Sequence, residues 1–184
     1  MGFDPAGSDR KKSERTSRYA AVVSAKDPKE RIFILDARAG YWTPSFAEDV
    51  IFNLWKKFYP HITRVNLERM GGFTVFYDNI QRAERDRQQF IGLNPITGGG
   101  DKDVKIRNYY QPLLEQERLY INAAVWDIVM EELKIFPGGT RKDVLDAGVL
   151  ASDGVGVPMS REDKERIQRQ KARRRRYASR VTGA

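Results

Sequence analysis

Three acidic residues sit at positions where an α/β fold gathers side chains. Asp4 lies in Phe3-Asp4-Pro5-Ala6-Gly7, a short apolar segment running into a turn. Glu68 ends the strand expected from Ile62 to Leu67, shortly before Gly71-Gly72. Asp143 falls in the first turn of a helix that follows Pro137-Gly138-Gly139. Strand ends and helix N-termini are where such folds build sites. Carboxylates held close together repel one another unless a divalent cation lies between them. A pair of such ions about 4 Å apart can activate a water and stabilise the leaving oxygen of a phosphodiester. Position alone does not single out this triple among 25 Asp and Glu, since Asp9, Asp36, Glu84 and Asp146 are also well placed. Asp143 and Asp146 are three apart and share a helix face. Each acid also has an ordinary role to play. Asp143 suits the positive end of a helix dipole, and Asp4 suits an Asx turn before Pro5.

Other chemistries are excluded by composition. There is no cysteine, hence no disulfide and no thiolate metal site. His61 is the only histidine, and after Pro60 it reads as a surface turn residue. A metal here would therefore be held by oxygen, which suits Mg²⁺ or Mn²⁺. The chain has 184 residues, 40% of them hydrophobic and 11% aromatic, enough for one domain with a true core and a tail. Its net charge of +8 is unevenly spread. Arg161 to Arg180 holds ten basic and three acidic residues, a net of +7, so the remainder is near +1. A basic tail of that kind suits a polyanion partner or a solubilising end. No apolar run approaches the roughly 20 residues of a membrane span. The opening residues lack a signal-peptide pattern, and the expectation is an intracellular protein with no membrane association.

The elements that must position the acids follow from the pattern. Tyr19 to Ser24 and Arg31 to Asp36 read as antiparallel strands joined by Lys26-Asp27-Pro28-Lys29-Glu30. Thr43-Pro44 is a helix start, with Trp42, Phe46, Val50, Leu54 and Phe58 recurring every four residues and Ile51 and Trp55 widening the stripe. The strand ending at Glu68 precedes a helix over about 73–87, with Val75, Phe76, Asn79, Ile80 and Ala83 on one side. A short strand is expected at Phe90 to Leu93, a partly helical stretch from Val104 to Glu115 despite Pro112, and a strand at Arg118 to Ile121. Helices then cover Val125 to Phe136 and Lys142 to Ala151, the second capped by Thr140. The order predicts a mixed α/β sheet with antiparallel leading strands, a later parallel portion and flanking helices. Residues 1–152 form the domain, and 153–184 form a linker and basic tail, helical or disordered.

Taken in order, the segments around the acids resemble the C-terminal nuclease domain of the large terminase subunit, the DNA-packaging motor of tailed bacteriophages. Gly2-Phe3-Asp4-Pro5-Ala6 is similar to that family's Gly-x-Asp-Pro-Ala at its first strand. Arg31 to Ala37 is similar to the following strand, and Val65-Asn66-Leu67-Glu68 to the strand carrying the second catalytic acid. Lys102 to Arg107 with Gln111-Pro112-Leu113 resembles a basic stretch before a Pro-Leu segment. Phe136-Pro137-Gly138-Gly139-Thr140-Arg141-Lys142-Asp143-Val144-Leu145-Asp146-Ala147 resembles Phe-Pro-x-Gly-x-x-Asp-Asp-x-x-Asp-Ala.

The resemblance implies an RNase H-like fold and cleavage of concatemeric double-stranded DNA with one or two Mg²⁺ or Mn²⁺ ions. It makes Asp4, Glu68 and Asp143 the catalytic metal ligands, with Asp146 secondary to them and Asp36 structural. Lys142 is the departure, standing where many relatives carry an Asp or His. Such a cation would weaken a second metal or contact phosphate. Lys105, Arg107 and Lys142 are the candidate phosphate contacts, and Arg173, Arg174, Arg175 and Arg176 would add salt-sensitive DNA affinity. No Gly-x-x-x-x-Gly-Lys-Ser/Thr segment is present, so an ATPase domain is expected on a longer polypeptide, with the portal and small terminase subunit as further partners. An RNase H-like junction resolvase or transposase-type nuclease, and a non-catalytic nucleic-acid-binding module, are the competing expectations.

Overall fold

A computed structural model describes residues 1–6, 18–68, 74–97 and 100–153. The expected tail and the Asp9 candidate lie outside these residues. Six strands form one mixed sheet: β1 (Gly2–Asp4), β2 (Tyr19–Lys26), β3 (Ile32–Gly40), β4 (Val65–Glu68), β5 (Leu93–Ile96) and β6 (Leu119–Ile121). Their order across the sheet is β5-β4-β1-β2-β3-β6. β1–β2 and β2–β3 are antiparallel, whereas β1–β4, β4–β5 and β3–β6 are parallel. Five helices flank it: α1 (Pro44–Phe58), α2 (Thr74–Arg87), α3 (Lys102–Glu115), α4 (Trp126–Leu133) and α5 (Asp143–Ser152). This arrangement is consistent with an RNase H-like α/β fold.

Strand alternation divides the core between two faces. Phe3, Ala21, Val23, Val65 and Leu67 point to one face, where Ile51 and Phe52 of α1 and Phe76 and Ile80 of α2 cover them. Ala20, Val22 and Ala37 point to the other, against Val129 of α4 and Val144, Ala147 and Ala151 of α5. Phe3 stacks on Phe76 with ring centroids 5.4 Å apart. The short β1 is buried throughout, and its backbone lies directly on α5. A Cβ at Gly2 would collide with the carbonyl of Ala147 and the backbone of Ala151, so only glycine permits this approach.

Several elements differ from their sequence expectation for identifiable reasons. Thr43 caps α1 as expected, its Oγ1 accepting from the Phe46 amide at 3.2 Å. The deep stripe is Ala47, Ile51 and Leu54 together with Phe52, whereas Phe46 is 53% exposed. The 3.6-residue period moves the buried face one position along from a strict four-residue repeat. In α2, Phe76, Tyr77, Ile80 and Ala83 are buried and Val75 is 67% exposed. β5 begins at Leu93 because Gly92 has φ +68°, which interrupts extended backbone just before it. Pro95 is accommodated because β5 is an edge strand. The segment after Asn122 is a short 3-10 turn at Ala123–Val125 leading into α4, which is shorter than expected.

Candidate metal centre

Asp4 and Glu68 are the last residues of the neighbouring parallel strands β1 and β4, one step beyond the paired positions Phe3 and Leu67. Since Phe3 and Leu67 face α1 and α2, alternation turns Asp4 and Glu68 toward α5. There they meet the first turn of α5, which carries Asp143 and Asp146. One carboxylate oxygen from each of Asp4, Glu68 and Asp146 lies within 4.8 Å of the other two. Asp4 and Asp146 are buried and Glu68 is half-buried. A buried trio of acids converging from two strand ends and a helix can hold a divalent metal ion, and the donor set is all oxygen.

The acid expected from the resemblance, Asp143, lies beside this trio and does not complete it. Its Oδ2 accepts from the Arg18 amide at 3.3 Å and stands 3.8 Å from Arg18 Nε. The third acid within 4.8 Å of Asp4 and Glu68 is Asp146, the secondary candidate. Asp143 and Asp146 lie on one face of α5, but the helix sets Asp146 over the ends of β1 and β4 and Asp143 toward Arg18. The two are equally legible in the sequence, and only the seating of α5 on the sheet separates them.

A cation already stands among these acids. Lys102 Nζ is 2.8 Å from Asp4 Oδ2, 3.0 Å from Asp146 Oδ2 and 3.9 Å from Asp143 Oδ1. Lys102 fell within the basic stretch noted in the sequence but was not among the candidate contacts. Its signal is Asp101, whose side chain accepts from the amides of Asp103 at 2.8 Å and Val104 at 3.3 Å. That N-cap starts α3 two residues earlier than expected and puts Lys102 in its first turn.

Burial pushes the carboxyl of Asp4 up, and the charges of Asp146 and Asp143 add to this while Lys102 opposes it. Burial also raises Glu68, helped by Asp146 and opposed by Lys105 and Lys102, and it raises Asp143 against Lys102 and Arg18. For the Lys102 ammonium, burial alone would lower the pKa, but Asp4 and Asp146 outweigh it and hold the group charged. The raised carboxyls of Asp4, Glu68 and Asp143 therefore reflect first their burial and then their mutual repulsion, which the Lys102 ammonium partly relieves.

The helix bearing Asp143 and Asp146 is held from below by a residue the sequence reading did not single out. Thr140 does not cap α5; the N-cap position is Lys142, which makes no side-chain cap bond. Glu132 of α4 performs the task instead. Its Oε2 accepts from the amides of Val144 at 2.9 Å and Leu145 at 3.1 Å, and its Oε1 accepts from Arg18 Nη2 at 2.6 Å. Glu132 is fully buried. At the other end, Asn66 Nδ2 donates to the carbonyls of Leu150 at 2.7 Å and Asp153 at 2.8 Å, tying β4 to the C-terminus of α5.

The remaining candidates are spread more widely. Lys105 is half-buried and close enough to act on Glu68, and Arg107, two residues further along α3, is exposed. Lys142 donates to both oxygens of Asp103 at 2.5 and 2.6 Å, so its charge is already matched. Arg173, Arg174, Arg175 and Arg176 lie outside the described residues. Asp36 is buried, with Lys57 Nζ at 2.6 Å and Arg38 Nε at 3.2 Å, and lines a separate concavity of about 660 Å³ between α1 and β3. Glu84 accepts from the Ile91 amide at 2.8 Å and His61 is exposed in a turn. Among the described residues no helix is long and apolar enough to cross a membrane. In comparisons with known proteins, no family model and no curated protein matches the chain.

Proposed function

We propose that this chain is a metal-dependent DNA endonuclease domain of the terminase type, cutting concatemeric double-stranded DNA by phosphodiester hydrolysis during genome packaging. The observation that carries the reading is the convergence of Asp4, Glu68 and Asp146 within 4.8 Å, from the two strand ends and the helix start that the ordered motifs mark. A Mg²⁺ or Mn²⁺ ion bound there would supply Lewis-acid polarisation of a phosphodiester and a more acidic bound water. The residues of the chain divide the remaining work. Asp4, Glu68 and Asp146 hold the ion. Asp143, beside Arg18, is the flanking acid that a second ion would recruit. Lys105, beside Glu68, and the exposed Arg107 take the DNA backbone, and Arg173 to Arg176 add affinity without sequence preference. Lys142 is a poorer phosphate contact, because Asp103 already neutralises it.

Within this reading the partners are double-stranded DNA, an ATPase domain on a longer polypeptide, the portal and the small terminase subunit, in the host cytoplasm during assembly. The test is nicking of supercoiled plasmid with Mn²⁺ or Mg²⁺. Cutting is expected with either ion, and EDTA or Asp4→Ala should abolish it. A folded protein that leaves the plasmid intact at millimolar concentrations of both ions would refute the nuclease assignment.

A further inference from the structure

We propose that Lys102 is a tethered counter-cation standing in the place of a divalent metal ion, and that metal loading is an exchange in which the ammonium leaves the carboxylates as the ion enters. The inference rests on the reading of this cluster as a metal centre.

The argument begins with occupancy. Lys102 Nζ contacts Asp4 Oδ2 and Asp146 Oδ2, and both residues belong to the trio suited to a metal. A Mg²⁺ ion needs oxygens at about 2.0–2.1 Å, closer than these ammonium contacts. An ion on the same oxygens would therefore sit a few ångströms from a fixed positive charge in a partly dehydrated site, where repulsion is strong. The two cations are alternatives. Without either, Asp4 and Asp146 would face one another unneutralised, so the metal-free protein needs the lysine.

The lysine can leave without disturbing the fold. It sits on a flexible four-carbon stem and its side chain is 40% exposed, so solvent is within reach. The backbone at that point is secured separately. Asp101 caps the first turn of α3, and Lys142 grips Asp103 from the start of α5. Rotation about the side-chain bonds suffices to withdraw the ammonium. The consequence is a site whose carboxylates stay partly neutralised by the lysine until divalent ion is abundant enough to displace it.

Two measurements test this. In the unaltered protein, acetylation by an N-hydroxysuccinimide ester is followed by mass spectrometry in EDTA and in Mn²⁺. Lys102 should be protected in EDTA and become several-fold more reactive in Mn²⁺, while the exposed Lys29 stays constant as a reference. Unchanged Lys102 reactivity in Mn²⁺-bound protein overturns the exchange. In the second measurement, Lys102→Met should bind Mn²⁺ about tenfold more tightly or better by titration calorimetry, a gain of about 1.4 kcal/mol. Equal or weaker binding by the variant overturns the exchange and leaves the metal centre standing. No binding of Mn²⁺ by either protein overturns the metal centre and the exchange together. If Lys102→Met does not fold, the labelling of the unaltered protein decides alone.

Discussion

Asp143 and Asp146 compete for one role, and a pair of isosteric substitutions separates them. Taking the Lys102 ammonium as a proxy for a cation in this cluster, the distances are 3.0 Å to Asp146 and 3.9 Å to Asp143. At an effective dielectric of about 20, moving a divalent charge between those two distances changes its attraction to one carboxylate by about 2.5 kcal/mol. That corresponds to a difference of nearly two orders of magnitude in affinity. Arg18 widens the gap by already engaging Asp143. Asp146→Asn should therefore weaken Mn²⁺ binding about 100-fold more than Asp143→Asn, measured by titration calorimetry at fixed pH and ionic strength. Plasmid nicking at limiting Mn²⁺ should follow the same order. Asp143→Asn should instead show its effect mainly in stability, through the lost charge beside Arg18. Equal losses, or a larger loss at Asp143, would refute the geometric assignment and restore the ligand set implied by the family resemblance.

Two further predictions follow from the same framework. Glu132→Ala leaves the Val144 and Leu145 amides without their acceptor and takes from the buried Arg18 guanidinium its partner at 2.6 Å, and breaking a buried pair in this way costs about 3–5 kcal/mol. Glu132→Gln keeps an acceptor for the amides and should lose about half as much, so urea unfolding should rank Ala below Gln below the native protein, and equal midpoints for all three would sink the capping role. The second concerns pH. Burial raises Asp4, Glu68 and Asp143, yet a metal needs them ionised, so Mn²⁺ affinity should climb from about pH 5 toward pH 8, by up to about tenfold per unit for each proton released. The same shifts act oppositely on the metal-free fold. Its folded state holds more protons than the unfolded chain across that window, so its stability should fall as pH rises. A metal affinity flat from pH 5 to 8 would contradict the first half, and apo stability rising with pH would contradict the second.

The strands that carry Asp4 and Glu68 were readable because each is short, places its apolar residues in alternation and stops at a charged residue, and that alternation assigns the face. The hairpin and the start of α1 were equally plain, since Asp27 with Pro28 and Thr43 with Pro44 are local signals with local causes. What escaped the sequence depends on contacts distant along the chain. The choice of Asp146 over Asp143 is set by the seating of α5 on β1, which rests on the missing side chain of Gly2. Glu132 reads as one more polar residue on an amphipathic helix, and its charged partner is Arg18, 114 positions away. Lys102 lies 98 positions from Asp4, and no periodicity relates the two. Spacing therefore located the acids without revealing the cations and the cap that complete the centre.

The separation of tasks around α5 explains how Asp146, in the first turn of a helix, stays free to face Asp4 and Glu68. An acid at the start of a helix is ordinarily drawn to the exposed amides, where it serves as a cap. Here those amides at Val144 and Leu145 are already satisfied by Glu132 from α4. Asp146 can turn away from its own helix toward Asp4 and Glu68, while the helix N-terminus still favours its negative charge. Arg18 balances Glu132 and steadies Asp143, so the charge beneath the centre is matched independently of the charge within it. Lys102 is then the cation whose removal leaves the support intact. A divalent ion can replace it without dismantling the fold, because the contacts that hold α5 in place do not pass through the carboxylates that would bind the ion.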